Sequence, residues 1–240
     1  MVETKENKMG VMSEGKLLLS MSLPLMISMI IQALYNIVDS IFVAQFSQDA
    51  LTGVTVAFPM QNLMIAVGSG TGVGISAFLS KSLGEKNSVL ASKVAKTGLL
   101  LAGFSWIVFT VIGIFFARPF IASQTSSQAV VDYGSEYLMM CSVMSFGLFG
   151  QMTLERLLQS TGKTIYTMIT QATGAIINII LDPIMIFGYF GIPAMGIAGA
   201  AIATVIGQAV GAGLGLFFNL KFNKELDFSF KGFRPDFSII

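Results

Sequence analysis

Two acidic residues stand where an apolar run would otherwise be continuous. Asp39 and Asp182 lie deep inside long hydrophobic stretches, while the other acidic residues fall in polar segments or near the ends of such stretches. An ionised Asp at the middle of a membrane helix costs about 2.5–3.5 kcal/mol on insertion scales, so a carboxylate at that depth is a functional candidate by default. Each has polar neighbours at helical spacing. Ser28, Gln32, Tyr35 and Asn36 precede Asp39, and Gln171 and Asn178 precede Asp182. Spacings of three, four and seven place these groups on one stripe of a helix. Pro183 follows Asp182 and frees the carbonyl of Ile179 from helical hydrogen bonding. Two carboxylates, two amides and a free carbonyl form an oxygen-rich set suited to a proton or to Na⁺ at Asp39, Asn178 and Asp182. Neighbouring carboxylates resist ionising together, so such a pair can exchange a proton for a cation. That is the chemistry of an ion-coupling site. The plainer alternative is that each Asp hydrogen-bonds a neighbouring helix.

The elements that carry these residues follow from composition. Of 240 residues, 54% are hydrophobic and 11% charged, against about 25% charged in a soluble domain. Mean hydropathy is +0.77. A soluble fold of this size cannot hide so much apolar surface. The sequence therefore predicts an all-α integral membrane protein. Six apolar segments are expected: Leu17–Phe46, Ala50–Ser80, Val94–Ala117, Val130–Ser160, Thr164–Tyr189 and Ile192–Phe222. Several exceed the ~20 residues that cross hydrocarbon, which implies tilt, kinks or protruding ends. Of fourteen Lys and Arg residues, all but Arg118 fall on one side of this layout. The positive-inside rule then puts both termini in the cytoplasm of a multi-pass protein, and the cell (plasma) membrane is the expected location. Residues 1–16 read as a cytoplasmic segment, 17–222 as a six-helix lobe and 223–240 as a cytoplasmic linker. The same layout brings Asp39 and Asp182 to one depth, each roughly 10 Å from the outer end of its span.

Other features rank lower. Pro24 and Pro183 are candidate helix-bending positions, and Pro59 also lies within a span. The Gly68–Gly74 run lacks phosphate-loop spacing. Its Gly70/Gly74 pair, like Gly207/Gly211 and Gly211/Gly215, is expected to let helices approach closely. Glu155 is expected to pair with Arg156, and Asp132 and Glu136 to be solvated. Gln32, Tyr35, Asn36, Gln61, Met144 and Gln171 are candidate cavity-lining residues. With no histidine, one cysteine (Cys141) and no nucleophile motif, catalysis and a cofactor are not expected. A net charge of +1 gives no indication of a nucleic-acid partner.

The stretch Pro24-Leu25-Met26-Ile27, with Leu34-Tyr35-Asn36-Ile37-Val38-Asp39-Ser40, resembles the first helix of multidrug and toxic compound extrusion (MATE) transporters. Ile177-Asn178-Ile179-Ile180-Leu181-Asp182-Pro183, followed by Gly196-Ile197-Ala198-Gly199 and on to Thr204, resembles their fifth and sixth helices. Gly70-Thr71-Gly72 with Leu83-Gly84 resembles the second helix and its exit loop. The resemblance implies one lobe of a twelve-helix, two-lobe transporter, hence an incomplete chain whose carboxy-terminal lobe, or a second copy, is the missing partner. It implies H⁺- or Na⁺-coupled export of small organic, often cationic, compounds across the bilayer. Asp39, Asn178 and Asp182 then fall on the family's cation site, with Thr204 a further ligand and Pro24 the bend of the first helix. Two other readings stay open: a flippase for lipid-linked sugars on a related scaffold, and a non-transporting membrane assembly subunit.

Overall fold

The computed structural model describes residues 12–229, and these form an all-helical bundle. Lys5, Lys8, Lys231 and Arg234, which entered the charge count, lie outside the described residues. The helices are α1 (Glu14–Phe46), α2 (Gln48–Gly84), α3 (Ser88–Ala122), α4 (Gln128–Val143), α5 (Phe146–Ser160), α6 (Thr164–Phe187) and α7 (Ile197–Phe222). Local chemistry sets several ends. Ser47 accepts from the Ala50 N–H to start α2, and Asn87 Oδ1 accepts from the Leu90 N–H at 3.0 Å to start α3. Gly188, at φ +81°, closes α6 in the left-handed conformation.

Five helices are long and apolar enough to cross a bilayer, and α4 with α5 forms a sixth, bent span. The expected segment Val130–Ser160 is thus broken at Met144–Ser145, with a 49° bend. The break has visible causes. The indole N–H of Trp106 and the hydroxyl of Thr110, both on α3, donate to the Val143 carbonyl at 2.8 and 3.3 Å. Beyond the bend, Gly147 presses on the α7 backbone, where a Cβ would meet Ala209 N at 2.9 Å. The last span also begins later than expected, at Ile197. The preceding turn folds back on α6 through Met195 N–H to Met185 O (2.9 Å) and Gly196 N–H to Ile186 O (3.2 Å). Pro24, Pro59, Pro119 and Pro183 all sit inside helices that continue past them.

Apolar surface gains little by leaving lipid, so close fit must hold the bundle together. Helices α6 and α7 touch backbone to backbone. A Cβ on Gly207 would lie 2.7 Å from the Gly174 carbonyl oxygen. Gly211 packs on Gln151, and Gly215 on Leu154. The Gly70/Gly74 pair meets no helix among the described residues: both are exposed, with nothing within 4 Å. Helix α1 packs chiefly on α6 and only lightly on α2, while α3 and α4 pack together and α5 spans from α2 to α7. Phe104, Ile107, Ile114 and Phe115 of α3 point outward, as do Leu19, Leu23, Met29 and Ile30 of α1. A surface this apolar suits hydrocarbon.

At the lysine-rich end, the chain leaves α7 and doubles back beneath the bundle. Leu226 is buried with Leu79, Val94 and Leu157. The Ser92 hydroxyl oxygen accepts from the Asp227 N–H at 2.9 Å, and the largely buried Lys96 ammonium reaches Asp227 at 3.3 Å. The Ser229 backbone N–H and then Lys96 hold the Asp227 carboxyl below the ordinary carboxylate range. A depressed folded-state value means that this tether is complete at neutral pH and is lost as acid protonates the carboxylate. Asp227→Asn is expected to speed amide hydrogen exchange at residues 226–229 at neutral pH, with the two chains converging in acid. Equal exchange at neutral pH would show that the tether does not depend on this charge.

Candidate functional site

Asp39, on α1, is 8% exposed and Asp182, on α6, is fully buried. Because α1 lies along α6, the two carboxyl groups are near neighbours. Asn178, one turn from Asp182, donates from Nδ2 to Asp182 Oδ1 at 3.1 Å. The same Nδ2 lies 3.3 Å from the Thr204 hydroxyl oxygen of α7. Three buried oxygens here lack partners: Asp39 Oδ1, Asp182 Oδ2 and Asn178 Oδ1. An unpartnered buried acceptor costs about 1–3 kcal/mol, and a charged one costs more. The deficit is entirely of donors or positive charge. A shared proton or one small hard cation matches it, and Na⁺ fits the donor set of carboxylate, amide and hydroxyl oxygens. Among the described residues no group of three or more acidic or cysteine residues gathers as a multidentate metal centre.

The site adjoins a cavity of about 490 Å³ lined from α1, α2, α5, α6 and α7. Asn178 and Thr204 belong to its wall, as do Gln32, Tyr35 and Gln171 of the sequence candidates. The remaining candidates sit elsewhere. Asn36 lines a shallow outer groove with Ser40 and Ile41. Gln61 donates to the Tyr137 hydroxyl at 3.4 Å, and Met144 caps α4 at the bend. One residue on from Tyr35, Asn36 is turned about 100° around α1, which carries it off the cavity face. Pro24 is buried on α1, and its carbonyl accepts from the Ser28 hydroxyl at 2.9 Å. Pro183 is half-buried beside Asp182.

One pairing differs from expectation. Glu155 does not pair with Arg156. It is 4% exposed and accepts from Gln151, Thr170 and Gln171, while the Arg156 guanidinium donates to Gln159 and Ser69. Asp132 and Glu136 are exposed, as expected, and Asp132 in addition forms an exposed ion pair with Arg118 at 2.9 Å. The missed cavity residues Gln151, Glu155 and Gln159 repeat every four residues. That period was readable as one helical stripe. The adjacent unlike charges of Glu155 and Arg156 obscured it, although neighbours in a helix point about 100° apart.

A bundle of apolar spanning helices, with a buried acid pair next to a cavity whose wall includes Asn178 and Thr204, defines a polytopic membrane protein of the transporter class. The MatE family model matches residues 24–184, and the chain belongs to the MatE family. Among curated proteins, a FAD transporter of Shewanella oneidensis is 30% identical, aligned over 83% of this chain and 44% of that protein. The multidrug export protein MepA of Staphylococcus haemolyticus is 28% identical, over 92% of this chain and 48% of its own length. A solved outward-facing multidrug resistance MATE family transporter superposes with a TM-score of 0.86 at 26% identity, covering 93% of this chain and 49% of that one. The chain thus spans about half the length of the curated relatives it matches, and its fold is that of one lobe of a MATE transporter.

Proposed function

We propose that this chain is the amino-terminal lobe of a cation-coupled antiporter that exports organic, often cationic, compounds, and that it acts in transport rather than catalysis. The observation that carries the reading is the set of unpartnered oxygens on Asp39, Asp182 and Asn178 beside a polar cavity. Asp39, Asp182 and Asn178, with Thr204, would hold H⁺ or Na⁺, whose positive charge cancels that of the carboxylates. In the neutral site Asp39 and Asp182 no longer repel, and α1 is free to repack about Pro24, with Pro183 shaping the facing turn of α6. Because α1 leans on α6 and only lightly on α2, it can shift without unpacking the rest of the lobe. A second six-helix lobe, in a longer chain or from a second copy, completes the alternating-access pathway. The lysine-rich end, with both termini, faces the cytoplasm of a cell-membrane protein.

The names of the relatives support export of organic solutes: two of the most similar are a FAD transporter and a multidrug export protein. The test is ethidium export from vesicles under an imposed H⁺ or Na⁺ gradient. Asp39→Asn and Asp182→Asn are each expected to abolish gradient-driven export while reaching the membrane at parental levels. Parental coupled export in both variants would overturn the proposal.

A further inference from the structure

Arg156 takes no part in the Asp39–Asp182 pair. A basic residue near the end of a span ordinarily reaches out to the lipid interface. This one instead forms part of the wall of the cavity of about 490 Å³. Its fit against α2 shows why. Gly72 is buried beneath it, and a Cβ there would stand 2.8 Å from Arg156 Cγ and 3.4 Å from Nε. The bare backbone of Gly72 thus seats the arginine stem and sets the course of the charged head along the cavity wall.

A guanidinium carries five N–H donors. Two find acceptors: Nη1 donates to Gln159 Oε1 at 3.0 Å, and Nη2 to the Ser69 hydroxyl oxygen at 3.5 Å. Both acceptors are neutral, and the second contact is long. Arg156 makes no ion pair among the described residues. Glu155, next in the chain, lends opposite charge without contact, because its carboxylate accepts from Gln151, Thr170 and Gln171. Three guanidinium N–H groups are left over, with the amide N–H groups of Gln159 and the Ser69 hydroxyl hydrogen, and all three residues line the cavity. No acceptor takes these hydrogens among the described residues. The acid pair has acceptors in surplus; this corner has donors and positive charge in surplus. Its complement is a pair of oxygens that share a negative charge. Arg156 lies four residues before the end of α5, and Asn178 fourteen after the start of α6. The two surpluses therefore stand roughly 15 Å apart along the bundle.

We propose that Arg156, with Gln159 and Ser69, forms an oxyanion subsite at the lysine-rich end of the cavity, which binds the carboxylate or phosphate group of an organic solute. Solutes that carry a negative group are then accepted as well as cations. The inference rests on the reading that the cavity receives exported solutes, but its readout is equilibrium binding without any ion gradient. Failure of coupled export and failure of this subsite are therefore separate results.

The probes are 4-phenylbutyrate and its neutral amide, 4-phenylbutanamide. They are titrated against the purified 240-residue chain in dodecylmaltoside, a detergent with neither charge nor phosphate. A charge-assisted pair of hydrogen bonds corresponds to a preference of about tenfold or more for the carboxylate. Arg156→Gln is expected to bring that ratio close to one. Lys81→Gln, which removes an exposed positive charge of α2, should leave it unchanged. Equal affinities in the parent, an unchanged ratio in Arg156→Gln, an equal collapse in Lys81→Gln, or no binding of either probe overturns the proposal. A measurement on the parent chain guards against a misfolded variant. Saturating 4-phenylbutyrate should slow phenylglyoxal labelling of Arg156, read by peptide mass spectrometry, more than the amide does, with the exposed Arg118 as internal reference. Equal labelling with the two probes refutes the subsite. Protection by short-chain phosphatidylglycerol with none by 4-phenylbutyrate assigns the arginine to a lipid headgroup and refutes it equally.

Discussion

Gly199→Val should leave little folded lobe to measure. A Cβ at Gly199 would stand 2.5 Å from both the carbonyl carbon and the oxygen of Met185, and 2.9 Å from Ile186 N. These are α6 backbone atoms, so no side-chain rotation relieves the clash. Nor can the two helices part at that point. The turn between them is pinned by the Met195 and Gly196 N–H groups to Met185 and Ile186, and Gly188 and Gly196 both hold positive φ. Overpacking a close-fitted interior costs typically 1–3 kcal/mol with repacking side chains, and an immovable neighbour places this case above about 3 kcal/mol. That is a large part of the roughly 5–15 kcal/mol that holds a domain folded. Fluorescence-detected size-exclusion after heating is expected to show loss of the monodisperse peak well below the parental temperature. The control is Gly74→Val, where the added atoms meet open space and the melting temperature is expected to stay within a few degrees. A parental profile for Gly199→Val would mean that the α6–α7 contact is looser than described.

The second large effect has the opposite sign. Asp182→Asn is expected to raise thermal stability even as it removes coupling. In the parent, two carboxyl groups share one site and leave Asp39 Oδ1 and Asp182 Oδ2 unpartnered. An amide at 182 supplies N–H donors to Asp39 and removes one of two like charges, for a gain of about 1–3 kcal/mol. Asp39→Asn relieves the same repulsion from the other side. The double variant should therefore gain less than the sum of the singles, as contacting residues do. Scanning calorimetry of the four chains at neutral pH tests this. Lower melting temperatures for both single variants would mean that the acids are structural hydrogen-bonding groups rather than a strained, functional pair. A gain in stability with a loss of transport is the pattern of a site kept unstable for its work.

The pairing of these acids was legible because it rests on two robust quantities, helical rise and charge alternation. Asp39 and Asp182 were placed at one depth by counting residues, and the structure brings their carboxyl groups together. The stripe through Gln171 and Asn178 was equally readable, since spacings of four and seven keep residues on one face. What the sequence did not disclose depends on contacts distant in the chain. The bend at Met144–Ser145 is held by Trp106 and Thr110 and by the fit of Gly147 on α7, and nothing within Val130–Ser160 announces it. Asn36 was assigned to the cavity because it lies three residues before Asp39, yet the neighbouring helix selects Tyr35 instead. The glycines divide in the same way: Gly207 meets Gly174, while Gly70 and Gly74 meet nothing described. A small residue permits a close approach without specifying that one occurs.

The segment after α7 bears on how load travels through the molecule. Because Leu226 and Asp227 are anchored under α2 and α3, a pull on the chain beyond residue 229 is delivered first to the start of α3. It does not unravel the last turn of α7. The anchorage works like the strain relief on a cable: the load is taken up by α2 and α3, and the wall that α7 contributes to the cavity is spared.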